Sequence, residues 1–181
     1  MKSSRSKKKG TIDIYLEYFE EAFIIDVARR YDIKGKKYIV TPAKYYFTDI
    51  GLRNARLNFR QQEENHIVEN ILFVELKARG YNVDIGVVEY RHMDKNGKDV
   101  RSQFEVDFVA NDGGKIYYIQ SALSVDEEGK RKQEINSLRR IPGSFKKIVV
   151  VKDDIMPWKD DIGILYIGIK DFLLDANAIN M

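Results

Sequence analysis

Two strand-like runs joined by a glycine turn constrain the fold of this chain most strongly. Residues 104–110 and 115–123 are rich in β-branched and aromatic side chains, and residues 111–114 between them read Asn-Asp-Gly-Gly. This pattern is typical of a β-hairpin, because glycine and asparagine accept the backbone angles of a tight turn. A helical pattern at 64–79 and a strand pattern at 83–90 precede the hairpin. The order of these elements predicts an α/β fold, with a mixed β-sheet flanked by helices.

The region after the hairpin continues this alternation. Ser124 and Glu127 have the spacing of a capping box, which predicts a helix over 124–140. Short apolar runs then predict strands at 147–151 and 164–167, and a short helix closes the chain at 169–175.

The first 55 residues predict a smaller group of elements. A helix is predicted over 11–23, where four side chains form one apolar stripe: Ile12, Leu16, Phe19 and Phe23. Residues 23–30 and 36–40 predict two strands joined by a turn at Lys34-Gly35, and residues 45–47 begin another strand. Residues 53–63 are polar and basic, and we interpret them as a connector.

The basic charge of the chain is concentrated at its N-terminus. The 181 residues carry a formal net charge of +3, and residues 1–10 hold five basic and no acidic side chains, so the remaining 171 residues carry a net charge of −2. Net charge therefore gives no argument that the body of the protein binds nucleic acid. Residues 1–10 are polar and are predicted to be a disordered tail, without the apolar segment of a secretory signal.

The composition excludes several classes of site. The chain has no cysteine, which excludes a disulfide scaffold, a thiolate metal site and a cysteine nucleophile. No apolar run approaches the roughly 18–20 residues of a membrane-spanning helix, so no membrane partner is expected. We expect a cytoplasmic protein, since export signals and cysteines are both missing. The phosphate-binding pattern Gly-x-x-x-x-Gly-Lys-Ser/Thr is also missing, so this chain is expected to have no ATP site.

Glu69 is a candidate for chemistry because of its place on the helix at 64–79. It lies close to the apolar face formed by residues such as Leu72 and Leu76. A carboxylate at that position is costly unless it has a partner or a metal ion. The simpler interpretation is a charge at the edge of the core.

Asp107 is a second candidate, because aspartate is disfavoured in strands. Strand alternation places Val106 and Phe108 on one face of this strand, and Glu105 and Asp107 on the other. Asp107 is either a charge on an edge strand or a ligand.

The order of these residues resembles the PD-(D/E)XK nucleases, which have the restriction-endonuclease-like fold. In that family, carboxylates hold a divalent cation that activates a water molecule and stabilises the leaving oxygen atoms. The resemblance places the metal-ligand positions at Glu69, Asp107 and Gln120, and the family's lysine at Ala122. Because an amide is a weaker ligand than a carboxylate and alanine has no polar group, the resemblance implies a degenerate, non-catalytic site.

The sequence also resembles the C-terminal region of prokaryotic AAA-type P-loop ATPases, in which an ATPase domain precedes a winged helix and a nuclease-like domain of unknown function. The matching stretches lie at 11–23, 30–37, 44–54, 66–76, 79–81, 105–109 and 118–120. This resemblance implies three regions: the tail at 1–10, a winged-helix remnant at 11–55 and a nuclease-like domain at 56–181. It also implies that the partner of the chain is the ATPase domain that it lacks.

The function expected from the resemblance is a non-catalytic module that binds DNA or docks on the ATPase domain. A first alternative is a DNA endonuclease that uses Mg²⁺ or Mn²⁺, with Lys130 or Lys132 replacing the missing lysine. A second alternative is an interaction module, able to form a homodimer, with an aromatic surface made by Tyr45, Tyr46, Phe47 and Trp158.

Two groups of basic residues are candidates for contacts with DNA phosphates. The first lies on the predicted hairpin of the wing: Arg29, Arg30, Lys34, Lys36 and Lys37. The second lies on the helix predicted over 124–140: Lys130, Lys132, Arg139 and Arg140. The alternative is that these side chains form ordinary solvated faces.

Overall fold

A computed structural model describes residues 10–40, 42–60, 63–93, 97–124 and 135–181. The predicted tail, apart from Gly10, lies outside these residues. Most of the helix predicted over 124–140 also lies outside them, together with Lys130 and Lys132.

The described residues form the predicted helices and strands in their predicted order, with several changes of boundary and with some elements that the patterns did not predict. The helices are α1 Thr11–Glu21, α2 Ile50–Arg56, α3 Glu64–Ala78, α4 Asn136–Arg139, α5 Ile169–Leu174 and a 3₁₀ helix Ala178–Asn180. The strands are β1 Ile25–Ala28, β2 Arg30–Asp32, β3 Lys37–Tyr38, β4 Lys44–Phe47, β5 Asn82–Met93, β6 Asp99–Asn111, β7 Ile116–Ala122, β8 Lys146–Val151, β9 Trp158–Lys159 and β10 Leu165–Gly168. Among the described helices, none has the length and apolar character needed to span a membrane.

Eight of the strands form one mixed sheet in the order β3-β2-β5-β6-β7-β8-β10-β9. The β2–β5, β7–β8 and β8–β10 pairs are parallel, and the other neighbours are antiparallel. The predicted mixed sheet flanked by helices is thus confirmed. Strands β1 and β4 form a separate two-stranded antiparallel sheet.

The large sheet buries apolar side chains on both faces. The face covered by α3 and α5, here called the α3 face, contains Leu72, Phe73 and Phe172. The opposite face, here called the α4 face, contains Leu138 and Ile141 from around α4. Residues of β6 and β7 alternate between these two apolar clusters, as expected for strands that are buried on both sides.

The N-terminal strands are distributed over both sheets. Residues 23–30 were predicted as one strand, but the strand within them is β1, which pairs with β4. Strand β2 begins only at Arg30 and joins the large sheet beside β5. The predicted hairpin turn at Lys34-Gly35 is confirmed, since β2 pairs with β3 across it. The large sheet therefore runs across the domain boundary predicted at residue 55.

Helix α1 forms as predicted, but its apolar stripe does not reach the core. The structure buries none of its residues. Ile12, Phe19 and Phe23 are exposed, and Leu16 is half-buried. Three of the four side chains of the predicted stripe therefore lie on the outer side of the helix.

The predicted connector and the predicted loop at 91–101 both contain regular structure. Helix α2 begins before residue 53 because the Asp49 side chain accepts a 2.8 Å hydrogen bond from the Leu52 backbone N–H and caps it. Strand β5 extends to Met93, and strand β6 begins at Asp99. The two strands therefore form a long antiparallel ribbon that includes parts of the predicted loop.

The predicted alternation along β6 is wrong at its centre. Val106 lies on the α4 face and Phe108 lies on the α3 face, although the pattern placed them together. The cause is a β-bulge: Asp84 pairs with Val109, but Gly86 pairs with Val106, so β6 contains one extra residue. The bulge falls at Asp107 and Phe108.

Candidate functional site

Glu69 lies on α3 with most of its side chain covered. Its neighbours Val68 and Leu72 are buried, and the Glu69 side chain is 13% exposed. Its Oε1 atom accepts a 2.5 Å hydrogen bond from the Tyr46 hydroxyl and lies 2.8 Å from Lys44 Nζ. Glu69 is therefore a nearly buried carboxylate with two donors, rather than a solvated charge.

Strand β4 brings Lys44 and Tyr46 to Glu69. The two side chains lie two positions apart in the strand and so point to the same side. Asn70 fixes β4 against α3, because its Oδ1 accepts from the Phe47 N–H at 3.0 Å and its Nδ2 donates to the Phe47 carbonyl at 2.7 Å. The Tyr46 ring also stacks on Phe73, with 4.2 Å between the ring centres.

Lys44 links two carboxylates. Its Nζ lies 2.8 Å from Glu69 Oε1 and 2.7 Å from Glu105 Oε1. The other oxygen of Glu105, Oε2, lies 2.5 Å from Arg30 Nη1. Glu69, Lys44, Glu105 and Arg30 thus form a row in which negative and positive charges alternate. Of these four residues, the sequence predicted only Glu69 as a site residue and Arg30 as a contact to DNA.

Asp107 lies in the bulge of β6, where its side chain bonds to the next strand. Asp107 is 8% exposed. Its Oδ2 accepts hydrogen bonds from the Ser121 backbone N–H at 2.8 Å and the Ser121 hydroxyl at 2.6 Å. The carboxylate thus takes the place of a main-chain acceptor in the sheet.

Gln120 lies where β6 and β7 separate. The main-chain pairing of these strands ends at Phe108 and Ile119. Gln120 Oε1 lies 3.4 Å from the Asp107 backbone N, in a long hydrogen bond, and accepts from the Ser137 hydroxyl at 3.3 Å. Ser137 belongs to α4, so the Gln120 side chain is directed to the α4 face.

The structure therefore does not bring the three predicted metal-ligand positions to one face of the sheet. Glu69 lies on the α3 face, Asp107 lies in the bulge and Gln120 is directed to the α4 face. Ala122, at the lysine position, is buried in the apolar cluster of the α4 face. Lys44 supplies a lysine to this region from a different part of the chain.

The charges of the site shift the pKa values of several groups. Burial, and then the charge of Glu69, raise the pKa of Asp107 to about 6, against the lowering effect of the Ser121 hydrogen bonds. Burial opposes the charge on Lys44, but hydrogen bonds to Glu105 and Glu69 raise its pKa overall. Burial also opposes the charge on Glu105, but Lys44 and then Arg30 lower its pKa. Lys44 and Glu105 are therefore both ionised at neutral pH.

The site residues fit an internal ammonium group better than a divalent cation. Mg²⁺ and Ca²⁺ need several oxygen ligands around one point. Between Glu69 and Glu105 that point is taken by Lys44 Nζ. Within the described ranges, no three histidine, aspartate or glutamate side chains are grouped so as to hold a metal ion.

Some of the residues predicted to bind DNA contact other side chains of the protein, and others are exposed to solvent. Arg30 pairs with Glu105, and the guanidinium of Arg140 lies over the rings of Tyr90 and Phe104 at 3.9 and 4.5 Å. Arg139 is exposed and lines an open cavity of about 560 Å³ beside Trp158.

The β2–β3 hairpin presents exposed basic residues on an ordered turn. Asp32 Oδ1 accepts from the backbone N–H groups of Lys34 and Gly35 at 3.1 and 2.9 Å, which holds the turn. Lys36 and Lys37 are exposed, and neither forms an ion pair with a described residue. Lys34 is also exposed, but its Nζ donates to the Glu89 carbonyl. Arg29 is exposed beside the hairpin.

The aromatic surface predicted for protein contacts does not form as one patch. Tyr46 is buried against Phe73. Trp158 lies on the edge strand β9 and stacks on Tyr166 with 4.2 Å between ring centres, whereas Tyr45 lies on β4 in the small sheet.

Lys44 and Tyr46 were not predicted as site residues, although the sequence contains one indication of their role. A lysine two positions from a tyrosine in a strand shares a face with it. If the tyrosine is buried, that lysine needs an acidic partner. Ser121 carried no such signal, because its contact depends on the bulge in β6.

Comparisons with known proteins give a family match for one part of the chain and two relatives. Residues 1–63 match a family described as a domain of unknown function, DUF8612. An uncharacterised protein of Haemophilus influenzae is 34% identical over 91% of this chain, and one of Methanocaldococcus jannaschii is 30% identical over 66% of it. The chain spans only 37% and 24% of the length of these relatives. No solved structure matches the chain.

Proposed function

We infer that this chain is a nuclease-like module that binds nucleic acid without cleaving it. The observation that carries this proposal is the position of Lys44, between Glu69 and Glu105. Its ammonium group neutralises the carboxylates that a catalytic cation needs. The separation of Gln120 from Glu69 by the sheet also supports a site that does not bind metal.

The basic β2–β3 hairpin supports binding to nucleic acid. It lies at one edge of the large sheet and exposes Lys36 and Lys37 on a turn that Asp32 holds in place. Exposed lysines without acidic partners gain most from phosphate contacts, because phosphate binding releases counterions from the nucleic acid. Arg29 is also exposed, but it lines the cleft that contains Asp13, Glu17 and Glu20, so we do not include it in this surface.

The resemblance to AAA-type P-loop ATPases supplies the wider context of the proposal. The module would act beside an ATPase domain in a cytoplasmic protein, either on DNA or docked on that domain. The greater length of both relatives supports a module attached to further domains.

Binding is tested by fluorescence anisotropy with a labelled DNA duplex at 50 and 200 mM NaCl. We expect the affinity to fall with salt, since phosphate contacts are screened. The double variant Lys36→Ala/Lys37→Ala should bind about tenfold more weakly and lower the slope of log affinity against log salt by about 2. The matched control is Lys159→Ala/Lys170→Ala, which removes the same charge from exposed positions outside the hairpin.

Two results would overturn the proposed binding surface. One is an affinity that does not change with salt. The other is an equal loss in both double variants, which would place binding elsewhere, for instance on the basic residues at 1–10.

Cleavage is tested with supercoiled plasmid in Mg²⁺ or Mn²⁺. We expect the wild-type protein and Asp107→Ala to leave the plasmid intact to the same degree. Nicking by the wild-type protein that is lost in Asp107→Ala would contradict the proposal and establish the endonuclease alternative.

A further inference from the structure

Helix α1 is exposed along most of its length, and most of its apolar side chains face solvent. Half-buried Leu16 lines the cleft between α1 and the small sheet, together with Asp13, Glu17 and Glu20. Elsewhere on the helix, Ile12 is 75% exposed, Tyr15 58% and Phe19 45%. A helix of a globular protein normally packs its apolar stripe on the core.

Phe23 extends this apolar side at a backbone cost. It follows the C-terminus of α1 with a φ of 56° and is 82% exposed. Glycine is the usual residue at this position, because a bulky side chain is strained at positive φ. Inside one copy of the chain, no burial of the Phe23 ring offsets this strain.

We propose that two copies of this chain dimerise through α1, with the surface formed by Ile12, Tyr15, Phe19 and Phe23 packed against the same surface of the second copy. The four residues carry no charge, so an isologous contact of this surface with itself about a twofold axis brings no like charges together within it. This inference is independent of the proposed binding to nucleic acid.

The exposed area is sufficient for such an interface. A fully exposed side chain of this size presents about 200 Å². With the exposed fractions of the four residues, the surface can bury at most about 500 Å² per copy. The total of about 1,000 Å² reaches the lower limit of specific protein interfaces, so we expect a dimer that dissociates in the micromolar range.

The charge of α1 distinguishes a second copy from a basic partner protein by the salt dependence of binding. The helix holds four acidic residues, Asp13, Glu17, Glu20 and Glu21, and no basic residue. Two such helices repel each other weakly, and salt screens this repulsion. Dimerisation should therefore strengthen between 0.1 and 1 M NaCl, whereas docking on a basic partner or on DNA should weaken.

The test is sedimentation velocity of the full chain from 1 to 200 µM. We expect a monomer–dimer equilibrium. Phe23→Gly should raise the dimer dissociation constant by about tenfold. The same substitution should raise the melting temperature of the monomer at low concentration, because glycine removes the strain at positive φ. Loss of association together with a more stable monomer would not arise from a merely structural role of Phe23.

The matched control is Val40→Ser, which removes another fully exposed apolar side chain and should leave the dissociation constant unchanged. A second measurement uses the absence of cysteine from the chain. Phe19→Cys should give a disulfide-linked dimer under mild oxidation, and Val40→Cys should not. A chain that is monomeric at 200 µM, a dimer weakened by salt, or equal crosslinking of both cysteine variants would overturn the proposal.

Discussion

At the scale of single residues, Lys44 determines the charge balance of the candidate site. It reaches both Glu69 and Glu105 with one ammonium group. Without it, two partly buried carboxylates would face each other beside Asp107. A buried charge that loses its partner is strongly unfavourable. We therefore expect Lys44 to stabilise the folded protein, and we propose that it also opposes metal binding at this site.

We predict that Lys44→Met lowers the free energy of unfolding by about 1–3 kcal/mol, less than for a fully buried pair because Lys44 is partly exposed. Urea denaturation measures this change. The variant should also gain heat of binding for Mn²⁺ in calorimetry, since its carboxylates are no longer neutralised.

The control for this prediction is Lys152→Met. It breaks an exposed ion pair with Glu64 and should change stability by less than about 1 kcal/mol. Equal destabilisation of the two variants, or no gain of Mn²⁺ binding by Lys44→Met, would contradict the proposed role of Lys44.

Asp107 leads to a prediction about pH. Its pKa is raised to about 6 in the folded protein, against about 3.9 for an unfolded chain. Between these values the folded state binds more protons than the unfolded state, so the Asp107 contribution to stability falls as pH rises from about 4 to 6. Asp107→Asn removes this titration. The unfolding free energy of the variant relative to the wild type should rise by roughly 2–3 kcal/mol between pH 4 and pH 7.

Denaturation curves at pH 4, 5, 6 and 7 measure this difference for both proteins. A constant difference across the four pH values would show that Asp107 titrates as it does in the unfolded chain.

At the scale of elements, the bulge in β6 explains why local patterns predicted the strand but not its side-chain directions. Alternation holds for a regular strand, whereas the extra residue at Asp107 and Phe108 depends on pairing with β5. Helix α1 shows the same limit. Its periodicity predicted a helix correctly, but no local signal states which side of it faces the protein. For α3 the predicted apolar face, which includes Leu72 and Leu76, is the buried one.

Gly86 allows the close packing of β5 around the bulge and can be tested directly. A Cβ atom at this position would lie 2.9 Å from Ile33 Cδ1, 2.9 Å from Val106 Cβ and 3.0 Å from Val109 Cγ2. We predict that Gly86→Ala lowers the free energy of unfolding by about 1–3 kcal/mol through overpacking, as measured by urea denaturation.

Gly114→Ala is the matched control, because the new Cβ would meet only Asp112 Oδ1 at 3.8 Å. It should change stability by less than about 1 kcal/mol. The packing argument fails if the two substitutions have equal effects.

At the scale of the whole molecule, the candidate site assembles residues that are distant in the sequence. Glu69 and Asp107 could be predicted because each is a local exception, an acid in an apolar helix face or in a strand. The roles of Lys44 and Ser121 could not be predicted in this way. Their contacts depend on the pairing of strands and on the packing of β4 against α3. The sequence was sufficient to predict a mixed sheet, but not the order of its strands. Strand β2 joins the sheet from a region that was expected to form a separate unit.

Strand β2 and the side chain of Lys44 have a consequence for how this protein can change in evolution. The family match ends at residue 63, yet residues before that point supply an outer strand of the large sheet and the cation that neutralises Glu69. Recombination at this boundary would separate an ammonium group from its carboxylates and break a parallel strand pair. We therefore expect the two segments to be inherited together, and a change of charge on one side to be accompanied by a compensating change on the other.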